Sequence, residues 1–345
     1  MKIGICLPYM KPGLSRDDLL TWFKIIDDGP FESLSCGERV HGPTFDMRLL
    51  LSAAATATSR VEITPTLYVL PMHNAVRVAK EIATLNVISG GRVKKVVLGY
   101  GGRPQDYEAV GASYNGRYQR MDHQVQTLKQ VWSGDEIIEG AGSIGPDLAP
   151  EEHPLLLTGA IGPKSISRGG DWADGLYAWS GNGEAEELVS AFSRMEEAFE
   201  KNERIQKPYR LGGFWCTLAD NGQQKLFDYV FEYLSIAGQE IAQMMAESVS
   251  RSSEKAILDA LDNAESTECD EVFLVPATAE IQEIEGDVSK GSNKHKSLLK
   301  DKYKIFTNEF DEVQEADKLE SEEEIARLRK NLDQQLTSLQ SIVTK

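Results

Sequence analysis

The sequence predicts an α/β fold, a closed (β/α)8 TIM barrel with insertions, followed by a C-terminal amphipathic helical tail. Three observations predict it: eight short apolar runs that suit buried parallel strands, helical patterns between these runs, and a length of 345 residues. That length accommodates a barrel of about 250 to 300 residues plus an appendage. A doubly wound open sheet is the alternative, because periodicity does not distinguish a closed sheet from an open one.

The predicted elements alternate along the chain as an α/β fold requires. The predicted strands are residues 2–8, 31–36, 61–70, 93–100, 154–159, 175–179, 211–218 and 270–276. The clearest helical patterns cover residues 45–58, 74–88, 116–132, 184–203 and 223–264. The last pattern is long enough for more than one helix, and we interpret it as extra helices that cover the barrel mouth. Residues 134–152, rich in Gly, Pro and acidic residues, are interpreted as a surface loop.

The clearest helix–strand unit is HNAVRVAKEIATLNVISGGRVKKVVLGYGG, residues 73–102. Apolar residues recur at helical spacing as far as Ile88, and Gly90 and Gly91 end the helix. A short run rich in valine follows and ends in three glycines. Ligands bind outside the carboxyl ends of parallel strands, and glycines there admit a cofactor close to the backbone. A tight turn without a ligand is the alternative.

Composition and charge exclude several classes of protein. With 41% hydrophobic and 26% charged residues, the composition is that of an ordinary globular protein, and the net charge of −17 argues against nucleic acid as a partner. The apolar run of the first ten residues is too short for a signal peptide, and no later segment approaches 18 apolar residues, so we expect a cytoplasmic protein without membrane contacts. The four cysteines are scattered, which predicts neither a disulfide framework nor a metal site.

A phosphate site is predicted between Thr158 and Ser165, after the fifth strand and at the start of a helix. Free backbone N–H groups, the Lys164 cation and the Ser165 hydroxyl converge there, where an anion could bind. An ordinary loop with a solvated lysine is the alternative.

Several motifs in order resemble those of the bacterial luciferase-like superfamily. The run VAKEIATLNVISGGRV resembles that family's AKEAATLDVLSGGRL. The segments CGERVHGP, GYGGRPQDYEAVG, GRYQRMDHQVQTLKQVWSG and GPKSISRGGDWADG fit its other landmarks. The resemblance covers residues 1–287 and implies a flavin-binding TIM barrel.

The resemblance implies a flavin-dependent oxidoreductase, a monooxygenase that uses reduced FMN and O₂ on a small organic substrate. A coenzyme F420-dependent dehydrogenase or reductase on the same barrel is the first alternative. A non-catalytic flavin-binding or scaffold protein that acts through the tail helix is the second. As partners we expect a small-molecule substrate, a separate flavin reductase and further copies of the chain in a homo-oligomer.

The resemblance also assigns cofactor contacts. In this family the loop after the fifth strand holds the cofactor phosphate, and the matching residues here are Thr158, Gly159, Gly162, Lys164 and Ser165.

Two further strand ends match cofactor positions of the family. Thr66 and Leu67 match a non-prolyl cis peptide that bulges against the flavin ring; a plain strand is the alternative. Gly99 and Tyr100 stand where luciferase has a reactive cysteine and a phosphate-binding arginine, so light emission with a long aldehyde is not expected.

Catalytic candidates follow the second strand. Luciferase has Glu-His-His there, whereas this chain has Glu38-Arg39-Val40 with His41 one step beyond. His41 could act as acid or base, or could be a loop histidine bonded to the backbone. Arg39 could clamp an anionic substrate or the charge of the reduced flavin, or could form a salt bridge to Glu38 or Asp46.

Four other side chains have two interpretations each. Arg117 and Arg120, at the start of a helix, could reach a phosphate or pair with a nearby carboxylate such as Asp122. Trp179 and Trp215, near strand ends, could stack on a flavin ring, but packing against other side chains is the preferred interpretation.

The chain after the barrel is predicted to form a linker, residues 288–300, and a helical tail, residues 301–345. A capping box at residues 321–324 precedes an apolar stripe at helical spacing. Residues 303–343 resemble a fragment of the CobT-type subunit of cobalt chelatase, but the metal-binding domain of that subunit is absent, so chelatase activity is not expected. The tail either makes oligomeric or partner contacts or is a fusion remnant.

Overall fold

Eight parallel strands close into a barrel in the computed structural model, which describes residues 1–235 and 238–279. Every strand pairs with its sequence neighbours, and the first strand pairs with the last. The strands are β1 (Lys2–Cys6), β2 (Ser33–Cys36), β3 (Glu62–Tyr68), β4 (Lys95–Leu98), β5 (Leu155–Thr158), β6 (Gly175–Trp179), β7 (Tyr209–Cys216) and β8 (Glu271–Pro276). The closed (β/α)8 barrel is therefore confirmed, and the open sheet is excluded.

Helices connect the strands and surround the barrel. They are α1 (Arg16–Asp28), α2 (Met47–Ala57), α3 (Ala75–Ile88), α4 (Pro104–Ala109), α5 (Arg117–Trp132), α6 (Pro163–Gly169), α7 (Ala185–Lys201), α8 (Gly222–Leu234), α9 (Gln239–Ser248) and α10 (Glu254–Ser266). Short 3₁₀ turns lie at Leu70–Met72 and Pro150–Glu152.

The predicted segments agree with these bounds to within a few residues, with two omissions. The helical patterns did not include α1, although Ser15 and Asp18 form a capping box at its start. They also did not include α4, which is only six residues long. The predicted run 223–264 contains α8, α9 and most of α10, in agreement with its interpretation as more than one helix. The predicted loop 134–152 contains only a 3₁₀ turn at its end.

The end of α3 shows why the glycine pair was a good boundary signal. Gly90 and Gly91 adopt φ angles of 70° and 80°, a region that side-chain-bearing residues rarely occupy. Their amides bond back to the carbonyls of Val87 and Asn86, which ends the helix and turns the chain toward β4.

The types of residue inside the barrel change along its axis. At the amino ends of the strands, the side chains of Glu62, Lys95 and Glu271 form a buried ion cluster. In the middle, apolar side chains fill the interior, among them Leu157, Tyr177 and Phe273. The carboxyl ends of the strands, where binding sites lie in this fold, carry glycines and long loops instead.

The four cysteines, Cys6, Cys36, Cys216 and Cys269, are buried free thiols. No helix in residues 1–235 or 238–279 combines the length and the apolar character needed to cross a bilayer.

The described residues all belong to one compact unit of the chain. The predicted linker and helical tail, with the resemblance to the chelatase subunit, lie outside the described residues. The boundary at residue 287 stays a prediction.

Candidate active site

The end of β3 contributes a partly exposed segment to the barrel mouth. The Thr66–Leu67 peptide bond is cis, and both residues are half-buried. The Leu67 side chain fills the space beside the ends of β4 and β5. A Cβ atom on Gly99 would lie 2.4 Å from Leu67 Cδ1, and one on Gly159 would lie 2.6 Å from Leu67 Cδ2. Four of the predicted cofactor contacts therefore lie together, and the two glycines make room for Leu67.

The loop between β5 and α6 offers backbone donors. Gly162 lies at the start of α6, and the Ser165 hydroxyl donates to the Gly162 carbonyl at 2.9 Å. Within the described part of the chain, the amides of residues 160–162 have no acceptor. Lys164 is exposed beside them. The residues present thus fit an anionic group such as the phosphate of a flavin or deazaflavin.

Two other predicted cofactor contacts lie at the ends of β5 and β4. Thr158, at the end of β5, is fully buried, and its hydroxyl lacks a partner among the described residues. Tyr100 follows β4 and packs against Tyr118, with 4.8 Å between the ring centroids. Burial raises the pKa of Tyr100 to about 12, so its side chain is a neutral hydroxyl at physiological pH. It does not supply the positive charge of the arginine that luciferase has at this position.

His41 forms a hydrogen-bonded pair with Asp106, a residue that the sequence did not single out. The distance from His41 Nδ1 to Asp106 Oδ1 is 2.6 Å, and the same oxygen accepts from the His41 backbone amide at 3.2 Å. The His41 side chain is 46% exposed, whereas Asp106, on α4, is only 10% exposed. The pair holds the imidazole by Nδ1 and leaves Nε2 for proton exchange with a bound molecule. His41 is therefore not a loop histidine bonded only to backbone.

Arg39 forms neither of the salt bridges considered from the sequence. Its guanidinium lies over the ring of Tyr233, 5.2 Å from the centroid, and Nη1 is 3.8 Å from the sulfur of Met10. Burial and the positive charge of Arg103 lower the pKa of Arg39. Arg39 thus lies at the barrel mouth without a carboxylate partner in the described residues.

Glu38 and Asp46, the two expected partners of Arg39, have other roles. Glu38 Oε1 lies 2.7 Å from His73 Nε2, and Glu38 Oε2 accepts from the Val69 amide at 2.7 Å. These bonds fix the loop after β3, next to the Thr66–Leu67 segment. Asp46 caps α2 and pairs with Arg48 at 2.7 Å. The pair of Glu38 and His73 was not predicted, because its two residues are 35 positions apart in the sequence.

The two tryptophans pack against each other, as preferred from the sequence. Their ring centroids are 4.7 Å apart, and Trp215 lies 5.7 Å from the ring of Tyr233. Tyr233 and Tyr229 belong to α8, and the Tyr229 hydroxyl lies 3.6 Å from the sulfur of Met10. Since α8 contacts loops that follow β1, β2 and β4, it lies across the barrel mouth. The interpretation of residues 223–264 as helices over the mouth is correct for α8.

Arg117 and Arg120 have structural contacts. The guanidinium of Arg117 stacks on Tyr114, 3.8 Å from the ring centroid, and Arg120 donates to three backbone carbonyls. Neither pairs with Asp122, which binds Arg168 instead.

Comparisons with known proteins agree with this architecture. The family model for luciferase-like monooxygenases matches residues 1–271. An uncharacterised protein of Mycobacterium tuberculosis strain H37Rv is 28% identical over 138 residues, which is 37% of this chain and 49% of that protein. The chain thus spans about half the length of the curated relatives it matches.

Solved structures share the fold. A monooxygenase from Streptomyces bottropensis superposes with a TM-score of 0.64 at 19% identity, covering 81% of this chain and 94% of that one. An F420-dependent secondary alcohol dehydrogenase in complex with an F420–acetone adduct superposes with a TM-score of 0.64 at 16% identity, covering 81% of this chain and 94% of that one.

A third structure is the oxygenating constituent of 3,6-diketocamphane monooxygenase from Pseudomonas putida in complex with FMN. It gives a TM-score of 0.58 at 16% identity and covers 80% of this chain and 91% of that one. At these identities the structures show a common fold. The family match over residues 1–271 shows that the chain belongs to the luciferase-like monooxygenase family.

Proposed function

We propose that the protein is a flavin-dependent oxidoreductase, and specifically a monooxygenase that uses reduced FMN and O₂ on a small organic substrate. One observation carries the proposal. Amides of the loop after β5 that lack acceptors in the described residues lie at the same end of the barrel as the partly exposed Thr66–Leu67 segment. One group would accept a phosphate and the other would contact a flat ring, and FMN has both.

The residues of the loop have assigned roles in this proposal. Lys164 and Ser165, with Gly159, Gly162 and the hydroxyl of Thr158, would hold the phosphate. Lys164 supplies positive charge, and residues 160–162 supply N–H donors, with no side chain in the way at Gly162. We also expect a separate flavin reductase to supply the reduced cofactor.

The mouth residues determine the environment of the ring. Thr66, Leu67, Gly99 and Tyr100 would lie beside it, and α8 covers the mouth with aromatic side chains that keep bulk water away. When bound, reduced FMN supplies the two electrons with which O₂ delivers one oxygen atom to the substrate and the other to water. The protein contributes binding, orientation and exclusion of water.

His41 is the proton-transfer group of the proposed site. Asp106 holds Nδ1, which fixes the tautomer and orients the ring, so Nε2 can donate a proton to a substrate oxygen or remove one from it. Asp106 itself remains a positioning residue, because its oxygen is engaged by His41.

The same pair favours a second candidate, an F420-dependent dehydrogenase or reductase. Removing a hydride from an alcohol carbon requires a base for the hydroxyl proton, and His41 with Asp106 is such a base. The F420-dependent alcohol dehydrogenase has the same fold and supports this candidate.

Cofactor binding is the test that comes first. The purified protein is titrated with FMN, with reduced FMN without oxygen, and with oxidised F420, while fluorescence is followed. Binding of FMN in either redox state supports the monooxygenase, and binding of F420 alone supports hydride transfer. Failure to bind any of the three contradicts both candidates and favours a scaffold protein.

The phosphate assignment has its own control. The double variant Lys164→Ala/Ser165→Ala should bind FMN at least about tenfold more weakly, since charge-assisted hydrogen bonds are lost. Riboflavin lacks the phosphate, so its affinity should be the same for wild type and variant. Lys207→Ala removes an exposed lysine just before β7, at the opposite end of the barrel, and should change neither affinity. An unchanged FMN affinity in the double variant would remove the assignment.

A further inference from the structure

Two arginines meet the same tyrosine at the barrel mouth. Arg39 follows β2 and Arg103 follows β4, and their guanidinium carbons lie 5.2 Å and 5.1 Å from the ring centroid of Tyr233. Arg103 also donates to the Tyr233 backbone carbonyl at 2.6 Å. We name Arg39, Arg103 and Tyr233 the arginine pair site.

Neither arginine has a carboxylate within salt-bridge distance among residues 1–235 and 238–279. Arg39 Nε is buried and has no hydrogen-bond partner there. Asp106 is an acidic residue that acts on Arg39, and its Oδ1 is already bound by His41. Two neighbouring positive charges are therefore partly withdrawn from water without a negative charge between them, an arrangement that costs free energy unless a ligand supplies the charge.

Some other arginines of the barrel pair with a carboxylate, and Arg60 and Arg92 instead donate to several backbone carbonyls. Carboxylates lie within 4 Å of Arg48, Arg168, Arg210 and Arg251. The chain as a whole carries a net charge of −17, so acidic partners are abundant. The guanidinium of Arg39 has neither a carboxylate nor a carbonyl partner among the described residues; its contacts are the Met10 sulfur and the Tyr233 ring.

We propose that the arginine pair site binds an oxyanion of the organic substrate, a carboxylate, sulfonate or phosphate group. This inference rests on the proposed function, because it assigns the substrate class of the same site. Guanidinium groups bind such oxyanions through two parallel N–H donors, and the ring of Tyr233 keeps both arginines in place. The rest of the substrate would then lie among the aromatic side chains of the mouth.

The geometry also relates the anion to the proton-transfer group. Arg39 and His41 are two residues apart on the loop after β2, and Arg103 and Asp106 are three apart on the segment after β4. The same two segments therefore hold the charge of the substrate and supply its acid or base. An acid with a reacting carbon a short distance from its carboxylate suits this arrangement better than a neutral hydrocarbon does.

The tryptophans of the mouth provide a reporter. Trp215 lies 5.7 Å from Tyr233 and 4.7 Å from Trp179, so a ligand at the arginine pair site should change tryptophan fluorescence. The protein is titrated with benzoate, phenylacetate and hexanoate, and with the neutral amide of each acid, at constant ionic strength. We expect saturable binding of at least one acid and at least about tenfold weaker binding of its amide.

Variants locate the binding. Arg39→Gln and Arg103→Gln should each bind the acid about tenfold more weakly and bind the amide with unchanged affinity. Lys207→Gln should bind both ligands as wild type does. No saturable response to any of the acids, or acids and amides bound equally well, overturns the proposal. If Arg103 only anchors the end of α8, Arg103→Gln will lower the Tm without changing the preference for the acid over its amide, and this result also overturns it.

A second arm separates substrate from cofactor. FMN and F420 also carry anionic groups, so their affinities are measured on the same variants. If Arg39→Gln weakens the binding of a cofactor as much as the binding of the acids, the arginine pair site holds the cofactor rather than the substrate, and the proposal fails. If wild type binds an acid but none of the cofactors, the proposed function fails and the oxyanion site stands.

Discussion

Replacing Lys95 by methionine should strongly destabilise the barrel. The Lys95 side chain is 2% exposed and lies between two carboxylates, Glu62 and Glu271, with 2.8 Å from its Nζ to Glu271 Oε2. Glu271 is fully buried, and the hydroxyls of Ser33 and Tyr209 donate to its two oxygens. Without the lysine, a buried carboxylate loses its counter-charge, which costs about 3 to 5 kcal/mol.

Thermal and urea unfolding measure this effect. A loss of that size corresponds to a Tm lower by roughly 5 to 15 °C for a unit of this length. Lys94→Met is the matched control, because Lys94 is the exposed neighbour of Lys95 and should change stability by no more than about 0.5 kcal/mol. The double variant Lys95→Met/Glu271→Gln should recover part of the loss, since the orphaned charge is gone. The reasoning would be refuted if Lys95→Met lowered the free energy of unfolding by less than about 1 kcal/mol. It would also be refuted if the loss in the double variant were the sum of the losses in the two single variants.

The pH dependence of stability checks the same cluster independently. Burial alone would raise the pKa of Glu62, but the positive charges of Lys95 and Lys2 outweigh burial and hold it below its usual value. Glu62 therefore stabilises the folded state above its unfolded-state pKa of about 4.3, and this contribution is lost as the pH falls through the lower folded-state pKa. Urea titrations at pH 6 and below pH 4 measure the free energy of unfolding. Its decrease on acidification should be smaller in Glu62→Gln than in wild type.

Two further predictions concern the mouth. Asp106→Asn should lower turnover about tenfold, because His41 loses a charge-assisted hydrogen bond, while the cofactor Kd stays unchanged; equal turnover in steady-state assays would leave Asp106 without a positioning role. Gly99→Ala places a Cβ atom 2.4 Å from Leu67 Cδ1 and should destabilise the protein by about 1 to 3 kcal/mol, measured by thermal unfolding. Gly102→Ala, where a Cβ meets no atom within 4 Å, is the control, and a larger loss there would contradict the packing argument.

The eight strands could be predicted because a strand buried on both faces is a short apolar run bounded by turn residues. The bounds extend too far at strand ends, as in the predicted 93–100 against the observed Lys95–Leu98. The apolar sequence continues past the last residue that pairs with a neighbouring strand, because the loops near the mouth also bury apolar side chains. Helix α1 carried a signal that was missed, since Trp22, Phe23 and Ile26 are its buried face and Ser15 begins it with a capping box.

The candidate site was predictable only in part, for a physical reason. His41 and Arg39 attract notice because their side chains carry chemistry and follow a strand. Their partners could not be found in the same way: Asp106 is 65 residues from His41, and Tyr233 is 130 residues from Arg103. Only closure of the barrel brings the ends of β2, β4 and α8 together. A sequence pattern reports neighbours along the chain, whereas a site of this fold is built from loops of different strands.

The polar groups at the two ends of the barrel are satisfied to different degrees, and this contrast supports the proposed site at the carboxyl end. At the amino end, Lys95 is matched by carboxylates that are themselves hydrogen-bonded, so the cluster needs nothing further. At the carboxyl end, Arg39 Nε and the Thr158 hydroxyl are buried without partners in the described residues. Burial of unpaired polar groups is costly, and a ligand bound at the mouth would complete the bonds of these two groups. Because the two clusters lie at opposite ends and share no partner, the stability loss of Lys95→Met and the binding loss of Arg39→Gln should be independent of each other.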